Sequence, residues 1–134
     1  MGRKAAPGTI HRAGEDYLEA ILRLEKEKGT VRSIDVAEWL EYSKPSVSRA
    51  VSLLGQAGYL EVDDDHSLHL TRTGRAIAEE IYERHRFFKQ FLMDLGVEES
   101  TAEQDACRME HDISEESFDR LKEMLKKMQE KSTV

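Results

Sequence analysis

The sequence has few features that mark a secreted, membrane-bound or disulfide-stabilised protein. Its single cysteine, among 134 residues, excludes a disulfide within the chain and fits the reducing cytoplasm. No run of eighteen apolar residues occurs, so we expect no transmembrane helix. Residues 1–7 are basic but lack the apolar core of a signal peptide. These absences predict a soluble cytoplasmic protein with one domain or two small ones.

Motifs of several common enzyme classes are also missing. The sequence holds no HExxH zinc motif, no nucleophile elbow and no glycine-rich phosphate loop. We therefore do not expect an enzyme. A small metalloenzyme stays open as an alternative, because carboxylate, imidazole and thiolate ligands can also activate water.

The net charge of −7 argues against a nucleic-acid-binding protein, but the charge is distributed unevenly. Residues 1–12 carry +3, residues 30–60 carry 0, and residues 76–134 carry −6. The acidic groups therefore lie mainly in the C-terminal half. A bound divalent cation would help such a chain to approach the phosphates of DNA.

The segment DACRMEH, residues 105–111, contains three side chains of metal-binding types. Cys107, Glu110 and His111 are spaced i, i+3 and i+4, which places them on one face of a helix. Thiolate, carboxylate and imidazole are all ligands of transition metals. A second acidic pair, Asp16 and Glu19, is spaced i, i+3 near the N-terminus. Taken singly, each has an ordinary alternative: a buried apolar cysteine, a surface glutamate or a surface or capping histidine.

The N-terminal half has the order of elements of a winged helix-turn-helix. An apolar stripe predicts a helix over 10–28, and Ser33 is the predicted N-cap of a short helix over 34–40. Pro45 is predicted to open a third helix that stops at Gly58. Two short strands, 59–62 and 67–70, flank an acidic turn and predict a hairpin.

The C-terminal half is predicted to be helical. A long helix opens at residues 71–74 and reaches Leu95. The segment STAE, residues 100–103, has the capping-box pattern and is predicted to start the helix that carries Cys107. Ser114 is predicted to cap a last helix. The apolar stripes over 75–95 and 118–128 exceed what one small domain would cover, so we expect a homodimer through this half.

The third helix is the predicted DNA-reading helix, because the second helix of such a motif enters the major groove with its N-terminal residues. Arg49 could pair with guanine or with phosphate, and serines can contact either phosphates or base edges. A motif used only for protein contacts is the alternative. The predicted DNA-binding residues are Lys44, Pro45, Ser46, Ser48, Arg49 and Ser52, and the predicted core face is Val47, Ala50, Val51 and Leu54.

Five segments together resemble the diphtheria-toxin-repressor family, which includes the manganese-transport regulators. They are EDYLEAI (15–21), KPSVSR (44–49), LTRTGR (70–75), HR (85–86) and ACRMEH (106–111), in family order. The resemblance covers roughly residues 10–125 and implies a mainly α, dimeric, metal-activated repressor. It implies a winged helix-turn-helix DNA-binding domain over 1–74 and a helical metal-binding and dimerisation domain over 75–134. The SH3-like third domain that iron-sensing members often add is not expected.

The resemblance also implies which residues bind metal: Asp16, Glu19, His85, Cys107, Glu110 and His111. The set is a hybrid, since manganese-type members place glutamate where Cys107 stands and iron-type members place methionine where Asp16 stands. A histidine and a glutamate of the iron-type ancillary site align with Glu103 and Lys89. Glu103 is therefore a further candidate ligand, although the capping box gives it another role. Charged Lys89 is not expected to ligate.

The predicted function is a divalent-metal-activated DNA-binding transcriptional repressor that controls metal-homeostasis genes. Hard carboxylates favour Mn²⁺ and the soft thiolate favours Fe²⁺, Co²⁺ or Zn²⁺, so Mn²⁺ or Fe²⁺ is expected, with one or two ions per subunit. Co²⁺, Ni²⁺, Zn²⁺ and Cd²⁺ are candidate substitutes in vitro. The expected partners are double-stranded operator DNA and a second copy of the chain, without a membrane. The competing class is a winged-helix regulator that senses a non-metal small molecule.

Overall fold

The computed structural model describes residues 12–132, which fall into two compact units, residues 12–83 and 84–132. Residues 10 and 11, predicted to begin the first helix, lie outside the described residues. The mainly α fold class is confirmed, with six helices and one hairpin in the part described. The elements are α1 (Arg12–Lys28), α2 (Ser33–Leu40), α3 (Lys44–Gln56), β1 (Leu60–Val62), β2 (Leu68–Leu70), α4 (Arg72–Asp94), α5 (Glu99–Met109) and α6 (Glu115–Ser132).

The N-terminal unit is a winged helix-turn-helix, as the order of its elements predicted. Strands β1 and β2 pair antiparallel, with Leu60 opposite Leu70 and Val62 opposite Leu68. His66, at φ 67°, closes the turn between the strands, and the backbone N–H of Asp63 donates to the carbonyl oxygen of Ser67 at 2.9 Å. The acidic turn predicted at residues 63–66 therefore forms the tip of the wing.

A continuous apolar core holds the N-terminal unit together. Leu18, Ile21 and Leu22 of α1 are fully buried, as the apolar stripe predicted. Residues from α2, α3, the hairpin and the first half of α4 complete the cluster, among them Val36, Val47, Leu54, Leu60, Leu68 and Ala78. Burial of side chains of this size contributes about 1.5–3 kcal/mol each. Helix α3 is thus fixed by its apolar face, Val47, Val51 and Leu54.

The start of α4 is fixed against the hairpin by a close approach at Gly74. A Cβ atom at this position would overlap the carbonyl oxygen of Tyr59, so no larger residue fits without movement of the backbone. The Thr71 hydroxyl donates to the carbonyl oxygen of Gly58 at 2.7 Å and accepts from the N–H of Gly74 at 3.1 Å. The TRTG segment therefore ends the wing and begins the helix.

Three predicted helix starts were wrong by one or two residues. The N-cap of α2 is Arg32 instead of Ser33, because the Asp35 carboxylate accepts from the Arg32 backbone N–H at 2.9 Å. Helix α3 begins at Lys44, because the Ser43 hydroxyl caps it by accepting from the N–H of Ser46. Pro45 therefore occupies the second helical position. In each case a side chain outside the expected position satisfies the free N–H groups.

The third correction concerns the predicted capping box at residues 100–103. Helix α5 begins at Glu99 with Glu98 as its N-cap, so Ser100 lies inside the helix and donates to the Glu98 carboxylate at 2.8 Å. Glu103 does not serve as the capping carboxylate. By contrast, the predicted cap of α6 is confirmed: the Ser114 hydroxyl accepts from the backbone N–H of Ser117 at 3.1 Å.

The C-terminal unit has a small aromatic core between α4, α5 and α6. Phe88, Ala106 and Phe118 are its buried members, and Phe87 packs edge-on against both phenylalanines. Many of its other apolar side chains stay exposed, namely Leu95, Leu121, Met124 and Met128. Leu95 was predicted on the apolar face of α4, yet 67% of it is exposed. Within residues 12–132, no helix is long and apolar enough to span a bilayer.

Candidate metal centre and DNA-reading helix

His85 is the centre of a cluster of potential metal ligands inside the C-terminal unit. It projects from α4 and is only 2% exposed. Its Nδ1 atom lies 2.8 Å from Oε1 of Glu110 and 3.7 Å from Sγ of Cys107. One donor atom from each of these three residues lies within 4.8 Å of the others. The structure therefore brings His85, known from the resemblance alone, together with two residues of the DACRMEH segment.

Glu110 and His111 lie just beyond the helix that was predicted to carry them. Helix α5 ends at Met109, and Glu110 is its C-cap with φ −62° and ψ −25°. Both side chains are buried, and His111 Nε2 lies 3.4 Å from Oε2 of Glu110. The prediction of one helix through residue 111 was thus wrong at its end. A tighter turn follows, in which the N–H of Asp112 donates to the carbonyl oxygen of Met109.

Burial bears on the ordinary interpretations of these residues, taken one at a time. Glu110 is completely buried, which is rare for a carboxylate unless it has compensating partners. His85 and His111 are both buried, so neither is a surface histidine. Cys107, in contrast, is exposed and is therefore not a buried apolar side chain. The burial pattern therefore excludes a surface role for Glu110 and for His111, and a buried apolar role for Cys107.

Glu103 contacts the opposite side of the His85 ring. Its Oε2 atom lies 2.8 Å from Nε2 of His85 and 3.9 Å from Sγ of Cys107. Its other oxygen lies 3.1 Å from the ammonium nitrogen of Lys89. Glu103 is thus close to the cluster, but it is paired with a cation of the chain itself.

Arg84 is the residue of this region that sequence reasoning missed. Its guanidinium is buried and donates from Nη1 to the carbonyl oxygens of Glu110 and Ile113. It also lies over the ring of Phe118, 5.3 Å from the ring centroid. Arg84 therefore holds the turn that carries Glu110 and His111. Its spacing gave a signal, because Ile77, Ile81, Arg84 and Phe88 follow one another at helical intervals on the buried face of α4.

Asp16 and Glu19 lie in the N-terminal unit, on α1. Glu19 is buried and Asp16 is half-buried. A carboxylate oxygen of Glu19 lies 3.8 Å from Nη1 of Arg23, one helical turn along α1. Glu15 of the same helix is buried as well, and the burial of these carboxylates is a structural cost that calls for compensating partners.

The DNA-binding residues predicted on α3 share one exposed face. Lys44, Pro45, Ser46, Ser48, Arg49 and Ser52 are all exposed. The predicted core face is confirmed, with Val47, Val51 and Leu54 buried and Ala50 half-buried. A helix that presents small and basic side chains at its N-terminal end has the properties of a major-groove reader.

The donors at His85 fit a divalent transition-metal ion. Two ligands on one ion, with bonds of about 2.0–2.3 Å, lie at most about 4.6 Å apart, which small side-chain movements would reach here. A nitrogen, a sulfur and an oxygen donor suit a cation of intermediate softness, whereas Mg²⁺ or Ca²⁺ would select oxygens alone. The fold and this cluster define the class: a winged helix-turn-helix protein with a candidate metal centre in a helical second unit.

Comparison with known proteins narrows the class to a family. The family model described as the iron-dependent repressor N-terminal DNA-binding domain matches residues 10–68, and the model for the metal-binding and dimerisation domain of the same repressors matches residues 71–133. The transcriptional regulator MntR of Escherichia coli is 38% identical over 105 residues, which cover 78% of this chain and 68% of the relative. The MntR of Shouchella clausii is 35% identical over 119 residues, covering 89% and 83%.

A solved structure agrees with these matches. The manganese regulator SloR has a TM-score of 0.75 at 28% identity, and the alignment covers 88% of this chain. It covers 54% of SloR, so the chain corresponds to about half of that protein. The chain belongs to the family of iron-dependent repressors. This is a family of metal-dependent transcriptional repressors and not of enzymes, and its models describe DNA binding and dimerisation.

Proposed function

We propose that this protein is a divalent-metal-activated DNA-binding transcriptional repressor that controls metal-homeostasis genes. One observation carries the proposal: His85, Cys107 and Glu110 converge in the part of the chain that matches a metal-binding and dimerisation domain. The exposed basic face of α3, in the part that matches a DNA-binding domain, supports the second half of the proposal. We assign the reading function to residues 1–74 and the metal and dimer functions to residues 75–134, in the cytoplasm.

The proposed cation is Mn²⁺ or Fe²⁺, with one or two ions per subunit. The description of the family as iron-dependent supports Fe²⁺, and the description of SloR as a manganese regulator supports Mn²⁺. Co²⁺, Ni²⁺, Zn²⁺ and Cd²⁺ are proposed substitutes in vitro. The proposed ligands are His85, Cys107, Glu110, His111, Asp16 and Glu19. Only the sequence resemblance supports the inclusion of Asp16 and Glu19. A thiolate in the set favours Fe²⁺ relative to an all-oxygen-and-nitrogen site.

The chain's own charges explain why a cation would act as a switch. The carboxylate of Glu110 and a Cys107 thiolate are like charges beside the same imidazole nitrogen, so holding both close costs free energy. A bound divalent cation supplies the positive charge that neutralises them. Arg84 already fixes the Glu110 backbone from the other side, so the side chains alone must adjust.

The proposed DNA partner is an operator with two half-sites, bound by a homodimer. Exposed apolar side chains of the C-terminal unit support a homodimer. Leu95, Met124 and Met128 are each more than half exposed, and a second subunit would cover such side chains. Two copies of α3 would then enter the major groove about one helical turn, roughly 34–36 Å, apart. Ser46 and Arg49 would face the bases or phosphates.

The test is metal-dependent DNA binding by the wild-type chain and a His111→Ala variant. Operator fragments selected with the Mn²⁺-loaded protein are titrated at fixed salt, because salt alone shifts affinity by orders of magnitude. We expect wild-type binding with Mn²⁺ or Fe²⁺ and none when a chelator removes the metal, and we expect no binding by His111→Ala with any metal. Asp112→Ala, a change at the exposed neighbour, is the matched control, and circular dichroism checks that both variants fold. Normal metal-dependent binding by His111→Ala would overturn the assignment of this site.

A further inference from the structure

Tyr42 is an exposed aromatic residue in the turn of the helix-turn-helix motif, and it is not among the predicted DNA-binding residues. It lies between α2 and α3, directly before Ser43, the N-cap of α3, and it is 44% exposed. The first helix of such a motif crosses the DNA backbone and the second enters the major groove, so the turn between them passes close to phosphates. Because single exposed aromatic side chains are common, exposure alone assigns no role to Tyr42.

The backbone on both sides of Tyr42 is held by hydrogen bonds. Glu41 adopts the left-handed conformation, with φ 59° and ψ 41°, and the Tyr42 N–H donates to the carbonyl oxygen of Ala37 at 3.1 Å. This is a common way for a helix to end, and it satisfies a carbonyl group of the last turn. On the other side, the Ser43 hydroxyl accepts from the N–H of Ser46. The turn therefore gives Tyr42 a defined position at the start of α3.

The ring of Tyr42 packs against a second tyrosine, Tyr17 of α1, in an edge-to-face arrangement. The ring centroids are 5.8 Å apart and the ring planes meet at 64°. Tyr17 is only 7% exposed and belongs to the apolar core. Arg49 of α3 is close enough for its charge to act on the Tyr17 hydroxyl, so the two tyrosines lie near the predicted reading arginine. A side chain packed in this way loses less conformational freedom on binding than a freely rotating one.

We propose that the Tyr42 hydroxyl donates a hydrogen bond to a phosphate oxygen of the operator, once in each half-site. Tyrosine is one of the side chains that contact DNA phosphates, and such contacts set the register of a protein on the duplex without reading its sequence. A phenol carries no charge at neutral pH, so the contact releases no counterion and leaves the salt dependence of binding unchanged. The proposal rests on the proposed DNA-binding function and is independent of which residues bind the metal.

The first experiment removes the hydroxyl alone, in the full-length, Mn²⁺-loaded protein. Tyr42→Phe should bind the operator about 3- to 10-fold more weakly, by the same factor for every base-pair variant of the operator and with an unchanged salt dependence. Tyr59→Phe, the same change at a residue that is 4% exposed and cannot reach DNA, is the control and should bind as the wild type does. Unchanged affinity in Tyr42→Phe would overturn the proposal, and so would a loss confined to one base pair, because the hydroxyl would then read a base.

The second experiment locates the phosphate. Each phosphate of one operator half-site is replaced in turn by a methylphosphonate, which lacks the negative charge and one acceptor oxygen. At the contacted phosphate the loss caused by Tyr42→Phe should shrink or disappear, and at all other positions it should persist. A loss that is the same on every modified operator would overturn the phosphate contact. If the wild type binds no DNA with any metal, the proposed function fails and this contact fails with it. If the wild type and Tyr42→Phe bind equally, only the contact fails.

Discussion

The two units of the chain differ in what they bury. The N-terminal unit buries a broad apolar core, from Leu18 of α1 to Leu70 of β2. The C-terminal unit buries only a small aromatic core, and beside it the side chains of Arg84, His85, Glu110 and His111. Apolar burial stabilises a fold without any partner, whereas buried charge costs free energy unless it is compensated. We therefore expect the proposed cation and the proposed second subunit to matter more for the stability of the second unit than for that of the first.

The largest expected effect is on the apolar core of the N-terminal unit. Ile21→Ala removes a fully buried side chain and should lower the free energy of unfolding by about 2–5 kcal/mol. The loss should be the same with and without Mn²⁺, since no proposed ligand is removed. Urea unfolding measures it, with Leu53→Ala, at a 59% exposed position, as the control expected within about 0.5 kcal/mol of wild type. If the free energy of unfolding lost in Ile21→Ala differed with and without Mn²⁺, the core of the N-terminal unit would not be independent of the metal.

The second prediction concerns the C-terminal unit. Mn²⁺ at about 100 times its dissociation constant should raise the free energy of unfolding by about 2.7 kcal/mol. The gain should persist in Ile21→Ala and disappear in His111→Ala, because only the latter removes a proposed ligand. Thermal melts with Mn²⁺ and with a chelator provide the measurement. An equal gain in all three proteins would place the ion outside the His111 region.

The third prediction returns to the reading helix. Arg49→Ala should weaken operator binding by about 1–3 kcal/mol, with specificity relaxed at one base pair if the guanidinium reads a base. If Arg49 contacts only phosphate, the loss should be similar for all DNA sequences, and the salt dependence should become less steep. Fluorescence anisotropy with Mn²⁺-loaded protein measures both. Arg120→Ala, at an exposed position of α6, is the control. Unchanged affinity in Arg49→Ala would mean that the DNA-binding surface lies elsewhere on the protein.

The fourth prediction tests the choice of metal through Cys107. Cys107→Glu replaces the soft donor with a hard one, so activation by Mn²⁺ should survive. The preference for Fe²⁺, Co²⁺ or Zn²⁺ over Mn²⁺ should fall by about tenfold, which corresponds to about 1.4 kcal/mol. Competition titrations between Mn²⁺ and Co²⁺ measure the ratio. An unchanged ratio would mean that the Cys107 sulfur does not ligate.

The smallest expected effect is at the start of α2. A hydrogen bond from Lys28, at 2.6 Å, and the Arg32 backbone N–H lower the pKa of Asp35 below its usual value of about 3.9. The stability that this carboxylate contributes is present above about pH 4 and is lost as the pH falls through the lower, folded-state pKa. Asp35→Asn should lower the free energy of unfolding by about 0.5–2 kcal/mol at pH 7 and by less at about pH 3, below the ordinary pKa of the carboxyl group. Urea unfolding at both pH values measures this, with exposed Glu38→Gln as the control.

Much of the fold could be predicted from the sequence because the helices are strongly amphipathic and the turns have clear signals. The buried stripe of α1 and the core face of α3 follow directly from helical periodicity. Helix starts were less predictable, since several nearby side chains compete for the same free N–H groups. At α2 the carboxylate of Asp35 accepts from the Arg32 N–H, and at α5 the STAE pattern begins at the second residue of the helix.

The sequence by itself determined which residue types form the candidate site. Cys107, Glu110 and His111 are recognised by their helical spacing, and the other candidates by the order of the family segments. Tertiary structure alone decided which atoms meet. It placed His85 against Glu110, turned its other nitrogen to Glu103, and buried Arg84 beneath the turn that carries Glu110. The physical reason is that these residues are far apart in the sequence: Arg84 and His85 lie on α4, Glu103 lies on α5, and Glu110 lies in the turn after α5. Helical periodicity fixes each residue's position on its own helix, but only packing fixes how two helices meet.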